Sequence, residues 1–333
     1  MVGPNGVGKT NLLEALHVGA QGFSPRTRSE PRLVRFGEQA ARVRLEGAEG
    51  GAPIDAEVTI SPREGKRIKL NGAPLDSAED LRLRLTALVF VPDRLAVVKG
   101  GPAVRRAYVD RMLGRVFPAR AALPGEYGRA LAQRNEALRR ARAGISTRDV
   151  IEPWTEQVAL LGAQLDVARK ELVDLLEPGF AEHADLLGLA GGRLAYEQEP
   201  LSIADLDSRF ERDLERGTTG AGPHLRDLAI RAGDRDLRSF GSQGEQRTAV
   251  LGLLLAEAIA LTELRGAPPL LLLDDVLSEL DAERRGALLA VLPSGGQTLV
   301  SATSVAALPE VAPEPALVVH VRREDGVSIA EAA

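Results

Sequence analysis

Lysine is rare in this chain, with five in 333 residues, and Lys9 closes the glycine-rich run G-P-N-G-V-G-K-T at residues 3–10. Gly3, Gly6 and Gly8 let the backbone wrap tightly, so that several N–H groups converge on phosphate oxygens. A helix opening near Lys9 adds its positive end. In such a loop the lysine reaches the β- and γ-phosphates of a nucleotide, and the Thr10 hydroxyl can hold Mg²⁺. The competing account is a chance glycine-rich turn, and the scarcity of lysine argues against it. The ligand-contacting set is Gly3, Pro4, Asn5, Gly6, Val7, Gly8, Lys9, Thr10 and Asn11.

A second run, PLLLLDDVLSELD, starts at Pro269. Four leucines suit a strand buried on both faces. It ends in Asp274 and Asp275, at the carboxyl edge where ligands sit in open α/β sheets. Asp274 suits Mg²⁺ coordination, directly or through water. Asp275 stands where a carboxylate can orient or deprotonate an attacking water. Lys9, Asp274 and Asp275 are therefore the candidate catalytic residues. The plainer account is an aspartate cap after a core strand.

A third run, SFGSQGEQRTAVLGLLLAEA, places Ser242 and Gly244 just before a long apolar helix over 243–265. Serine and glycine at a helix start make a second anion site. One nucleotide does not need two such sites from one chain. Ser242 is then expected to complete the site of another copy in a head-to-tail dimer. The alternative is a plain N-cap with a Glu or Gln capping box.

These residues need elements to position them. Residues 10–20 suit a helix, and 41–70 are rich in β-branched residues, followed by the turn signal Asn71-Gly72. Residues 87–91 (ALVFV) read as a short buried strand. From 103 to 187 the apolar spacing is helical and the charge heavy, which suggests a helical insertion, a two-helix arm among its forms. After 224 come a strand near 225–233, the helix 243–265, a strand over 269–275, a helix over 279–292 and a strand over 297–303. Strands alternating with helices imply a parallel sheet. The expected division is an α/β lobe carrying the phosphate loop over 1–102 and 223–333 and a helical lobe over 103–222.

Composition narrows the chemistry. The chain is 44% hydrophobic and 27% charged with net charge −5, so a basic surface can only be local. It has no cysteine, which excludes disulfides and thiolate metal sites and suits a reducing cytosol. Aromatic residues are 3%, too few for stacking platforms on single-stranded nucleic acid. His17, His183, His224 and His320 show no ligand spacing. The longest apolar stretch, 249–261, contains Glu257 and is too short to span a bilayer. The Gly- and Pro-rich opening does not read as a secretory leader.

The three motifs in this order look like the ABC-type ATPase head, the class that includes SMC proteins. Five runs resemble more closely the RecF family of bacterial replication and repair proteins. They are GPNGVGKTNLLEAL, LVFVPDRLAVVKGGPAVRRAYVD (88–110), GPHLRDL (222–228), FGSQGEQRTAVLGLLLAEA (240–258) and LLLLDDVLSELDAERR (270–285). The fold this implies is an α/β, ABC/SMC-like P-loop ATPase head with a helical insertion. The resemblance implies a cytoplasmic protein that binds ATP with Mg²⁺, dimerises through it and hydrolyses it slowly. It also implies binding to gapped DNA near single-strand/double-strand junctions and, with RecR and RecO, help in loading RecA. Lys9 and Thr10 match the family's phosphate loop, and Asp274 its Mg²⁺ aspartate. Ser242, Gly244 and Gln246 match the signature that acts in trans, and Ser278 to Asp281 a dimer-contacting loop. Arg129, Arg134, Arg139, Arg140 and Arg142 are candidate DNA contacts.

Some features depart from the pattern. Transport-type ABC heads usually carry Glu where Asp275 stands, and the shorter aspartate suits a slow switch. They carry a histidine where this chain offers Ser301, Thr303 or Ser304, and a glutamine where Pro92 and Asp93 stand. RecF-like chains also have a few tens of residues before the phosphate loop, including the strand that feeds it, where this chain has only Met1 and Val2. A missing central strand would leave buried ladder groups of its neighbours unpaired, each at a cost of about 1–3 kcal/mol. The alternatives are another SMC-like head, an ABC transporter subunit, and an interaction or DNA-binding protein whose ATPase is dead.

Overall fold

The structure, a computed structural model, describes residues 1–27, 29–49, 51–196, 199–309 and 315–332. The chain divides into two compact units. One comprises Met1–Arg94, Leu186–Gly188 and Leu261–Ala333, and the other Leu95–Asp185 and Leu189–Ala260.

The first unit is α/β. Its parallel sheet has the strand order Thr298–Val300, Leu270–Leu273, Ala87–Phe90. The leucine strand is central, and Leu271, Leu272 and Leu273 are buried, as an apolar run covered on both faces must be. Val2 extends the parallel arrangement through bridges to Ala302 and His320. The Met1 ammonium donates to the Val300 carbonyl at 2.8 Å. The Val2 N–H donates to Val319 O, and the Val321 N–H to Val2 O, each at 2.8 Å. Across this stretch the ladder groups expected to be orphaned are bonded by Met1 and Val2. Beyond Val2 lies an antiparallel hairpin, Val319–Glu324 and Val327–Ala332, turning at Asp325 and Gly326, both with positive φ.

The same unit holds an antiparallel sheet of Ala41–Glu49, Ala52–Ser61, Gly65–Leu70 and Ala73–Leu75, paired in sequence order. Asn71 (φ 49°) and Gly72 (φ 80°) make its last turn, the left-handed pair that an Asn-Gly hairpin requires. The helix Lys9–Gln21 serves both sheets. Leu13 packs with Val89, Val91 and Leu272, while Val18 packs with Ala56, Val58 and Ile60. Gly19 is needed for that approach, since a methyl group there would lie 2.5 Å from the Leu45 side chain.

The second unit is mainly helical. Its long elements are Pro102–Val116, Leu123–Arg142, Glu152–Leu186 and most of Gln243–Arg265. A small antiparallel sheet of Gly192–Ala195, Ala229–Ala232 and Arg235–Asp236 accompanies them. The apolar run 249–261 is a buried helix, as its composition requires, and its one acid, Glu257, is buried in an ion pair with Arg115. Among the described residues no helix is long and apolar enough to cross a membrane.

Candidate functional site

Val2, Leu270–Leu273 and Thr298–Val300 run parallel, so the residues that follow them gather at one edge of the sheet. That edge collects Gly3–Thr10, Asp274 with Asp275, and Ser301. The loop folds through left-handed glycines, Gly6 at φ 81° and Gly8 at φ 107°. Pro4, Asn5 and Gly6 are exposed, Val7 and Thr10 half-buried, and Asn11 exposed with its side-chain oxygen facing Arg26. The helix begins at Lys9, and the Leu12 N–H donates to Gly8 O at 3.0 Å. Lys9 is 7% exposed, and its ammonium donates to Gly3 O (2.6 Å) and Pro4 O (2.9 Å). A cation is thus fixed against a glycine-rich loop at a helix start, an arrangement suited to polyphosphate.

Asp274 is 3% exposed, and its N–H donates to Phe90 O at 2.9 Å. Asp275 is half-buried with φ 50°, a left-handed conformation that aspartate tolerates better than most residues. Its carbonyl accepts from Ser278 Oγ at 2.9 Å. Of the three hydroxyl residues after the last parallel strand, Ser301 is fully buried, while Thr303 and Ser304 are exposed. Ser301 turns inward onto the two aspartates and is not presented to a ligand. Pro92 and Asp93 open the 3-10 turn Pro92–Leu95, and their side chains, like that of Glu279, lie outside the described residues.

Ser242, Gly244 and Gln246 belong to the second unit. The capping box is present: the Glu245 N–H donates to Ser242 Oγ (3.2 Å), and the Ser242 N–H to Glu245 Oε2 (2.8 Å). Arg235 donates to the other Glu245 oxygen at 2.7 Å. With the Ser242 N–H, that guanidinium holds the carboxyl down at about 2. Ser242 is exposed, and because Oγ accepts from Glu245, its proton remains to be donated elsewhere. Gln246 differs from expectation. It is buried, and its amide donates to Leu237 O at 2.9 Å, so it anchors the helix start.

The chain is 35% identical over 308 residues to the DNA replication and repair protein RecF of Heliobacterium modesticaldum, a match covering 88% of this chain and 82% of that one. RecF of Myxococcus xanthus is 37% identical over 327 residues, covering 91% and 83%. This chain belongs to the RecF family. Among solved structures, the recombination mediator protein RecF–ATP of the RecFOR pathway superposes with a TM-score of 0.83 at 27% identity, covering 99% of this chain and 90% of that one. An Smc head bound to the C-terminal winged-helix domain of ScpA superposes at 0.58 with 16% identity, covering 100% and 88%, which is a likeness of fold. No family model matches the chain.

Much of what carries the RecF resemblance is structural. In the run 88–110, Arg105 is buried and donates Nε to Asp227 Oδ1 at 2.9 Å and Nη1 to Val98 O and Gly100 O. Asp110 accepts from Arg169 Nε at 2.9 Å, and Arg169 also donates to Pro223 O. His224 faces the Thr219 carbonyl through Nε2, which must therefore donate, leaving Nδ1 to accept from the Tyr127 hydroxyl at 2.6 Å. Burial lowers the His224 pKa, in keeping with a neutral ring. Sequence reasoning missed these pairs. The available signal was an arginine on an apolar helical stripe, Arg105 with Val109, Met112 and Val116.

The same signal corrects one DNA-facing expectation. Arg129, Arg139, Arg140 and Arg142 are exposed, but Arg134 is 0% exposed. It lies on the stripe of Tyr127, Ala130 and Leu138 and donates to Asp213 (2.9 Å), Thr219 (2.7 Å) and Thr155 (3.0 Å). Backbone phosphates cannot reach it.

Proposed function

We propose that this chain is an ATP-dependent DNA-binding protein of recombinational repair and replication restart. It acts as an ATP-gated dimeric clamp on gapped DNA and assists RecA loading together with RecR and RecO. The observation that carries this reading is the gathering of Lys9, Thr10, Asp274 and Asp275 at the carboxyl edge of one parallel sheet in a chain of the RecF family.

The donor set fits Mg²⁺, because a threonine hydroxyl and an aspartate carboxylate are the hard oxygen ligands this ion takes. When bound, the ion would neutralise charge on the β- and γ-phosphate oxygens. Lys9 exchanges its loop carbonyls for phosphate oxygens, and the loop N–H groups bind the rest of the polyphosphate. Asp275 orients the attacking water, and its short side chain suits slow hydrolysis. Ser242 of a second copy closes over the γ-phosphate with its remaining hydroxyl proton. Glu245 beside it would repel that phosphate, and Arg235 offsets the charge. Arg129, Arg139, Arg140 and Arg142 offer contacts to DNA phosphates, so binding weakens with salt.

The deciding experiment is the solution mass by light scattering, with and without Mg²⁺-ATP. A shift from monomer to dimer that disappears in Ser242→Arg is expected. A chain that stays monomeric at saturating Mg²⁺-ATP overturns the clamp.

A further inference from the structure

Ser301 is fully buried at the end of the Thr298–Val300 strand, and its N–H continues the ladder by donating to Leu273 O at 2.9 Å. Its side chain has one proton to give and oxygen lone pairs to offer. Both are committed to the paired aspartates. The hydroxyl donates to Asp274 Oδ1 at 2.7 Å and accepts the Asp275 N–H at 2.9 Å. Asp274 Oδ2 takes no hydrogen bond from any described residue. One hydroxyl therefore fixes the rotation of one carboxylate and the backbone of the next residue. That backbone is in the left-handed region, a conformation that persists only where its surroundings enforce it.

We propose that Ser301 is a positioning residue for the Mg²⁺ carboxylate. By occupying Oδ1 it reserves Oδ2 of Asp274 for the cation or its water, and by holding the Asp275 N–H it sets the direction in which the second carboxylate leaves the strand. Partners that orient a metal ligand are commonly worth as much to the ion as a fraction of the ligand itself. This inference rests on the nucleotide reading above. It differs from a general stabilising role in being specific to the ion: Ser301 touches neither the phosphate loop nor Lys9 among its hydrogen bonds.

The test is calorimetric binding of ATPγS to the full chain in EDTA and across a Mg²⁺ titration, for wild type, Ser301→Ala and Ser301→Thr. Ser301→Ala is expected to raise the Mg²⁺ concentration for half-maximal tight binding by about 10- to 100-fold, with affinity in EDTA unchanged. Ser301→Thr keeps the hydroxyl and is expected to restore the wild-type Mg²⁺ dependence. An unchanged Mg²⁺ requirement in Ser301→Ala, or an equal loss with and without Mg²⁺, overturns the proposal. If Ser301→Ala does not fold, Ser301→Cys, with a similar shape and a weaker donor, is read in its place. An intermediate shift supports the proposal and no shift overturns it. A wild-type chain that binds no ATPγS at any Mg²⁺ concentration overturns the nucleotide reading, and this inference with it, before any variant is compared.

Discussion

Ser328 stands directly against Gly8: a methyl group on Gly8 would lie 2.1 Å from the Ser328 hydroxyl oxygen. At the other end of the loop, a methyl on Gly3 would lie 2.3 Å from the Val321 carbonyl oxygen. The hairpin Val319–Ala332 therefore braces both ends of the phosphate loop, and the glycines there are demanded by close approach as well as by turn geometry. Gly8→Ala is expected to weaken ATPγS binding, through the steric clash and through φ 107°, with strain of about 1–3 kcal/mol. Ser328→Gly in the same chain should recover only the part due to the clash. Calorimetric affinities of the single and double variants separate the two, and a wild-type affinity for Gly8→Ala would refute the brace.

Acid should loosen the start of the helix Gln243–Arg265. Glu245 lies at about 2, down from 4.5, chiefly through the Arg235 hydrogen bond and then the Ser242 N–H. A carboxyl lowered in the folded state stabilises fully above its unfolded value and loses that contribution as pH falls from 4.5 towards 2. Glu245→Gln is therefore expected to be less stable than wild type near neutrality, with the gap closing as the pH drops through that window. Urea midpoints of both chains at a series of pH values check this. A gap independent of pH would show that the carboxylate's charge is not what holds the cap.

Arg134 and the exposed arginines of its helix should separate cleanly in their effects. Arg134→Ala leaves the buried Asp213 carboxylate without its partner, a loss expected to cost about 3–5 kcal/mol. Its effect should appear in the unfolding midpoint. Arg140→Ala with Arg142→Ala should leave that midpoint nearly unchanged and lower DNA affinity. The salt dependence should flatten by about 0.9 in slope for each duplex phosphate that these side chains no longer neutralise. An unchanged slope would remove these side chains from the DNA surface.

How much of this was legible in the sequence depended on whether the signal was local. Gly3–Thr10, the leucine strand with its aspartates and the Asn71-Gly72 turn each declare themselves through adjacent residues, and the structure has a loop, a buried strand and a hairpin there. The terminal hairpin carries an equally local mark in Asp325-Gly326, set in weak β patterning. The burial of Gln246 and Arg134 is hidden for another reason. A polar side chain on a helix is solvated by default, and only packing against Leu237 in one case and Asp213 in the other shows that it is buried. Ser301 was legible as a position but not as a role, because its partners lie 26 and 27 residues away.

Asp275 provides the last test, because its backbone and its carboxylate can be varied apart. Its φ of 50° favours aspartate and asparagine over other non-glycine residues. Asp275→Asn should therefore keep the turn, the stability and ATP-driven dimerisation, while removing the carboxylate proposed to orient water. Hydrolysis should fall by about 10²- to 10⁴-fold, the usual contribution of a positioned acid–base group. Asp275→Val removes the carboxylate as well and in addition strains the turn, at a cost of about 1–2 kcal/mol because a β-branched residue resists the left-handed region, so stability and dimerisation should fall along with hydrolysis. Single-turnover hydrolysis with light scattering on the same samples distinguishes the two. If Asp275→Asn hydrolyses ATP at the wild-type rate, the water is held by another group, and Asp275 serves the fold of the turn alone.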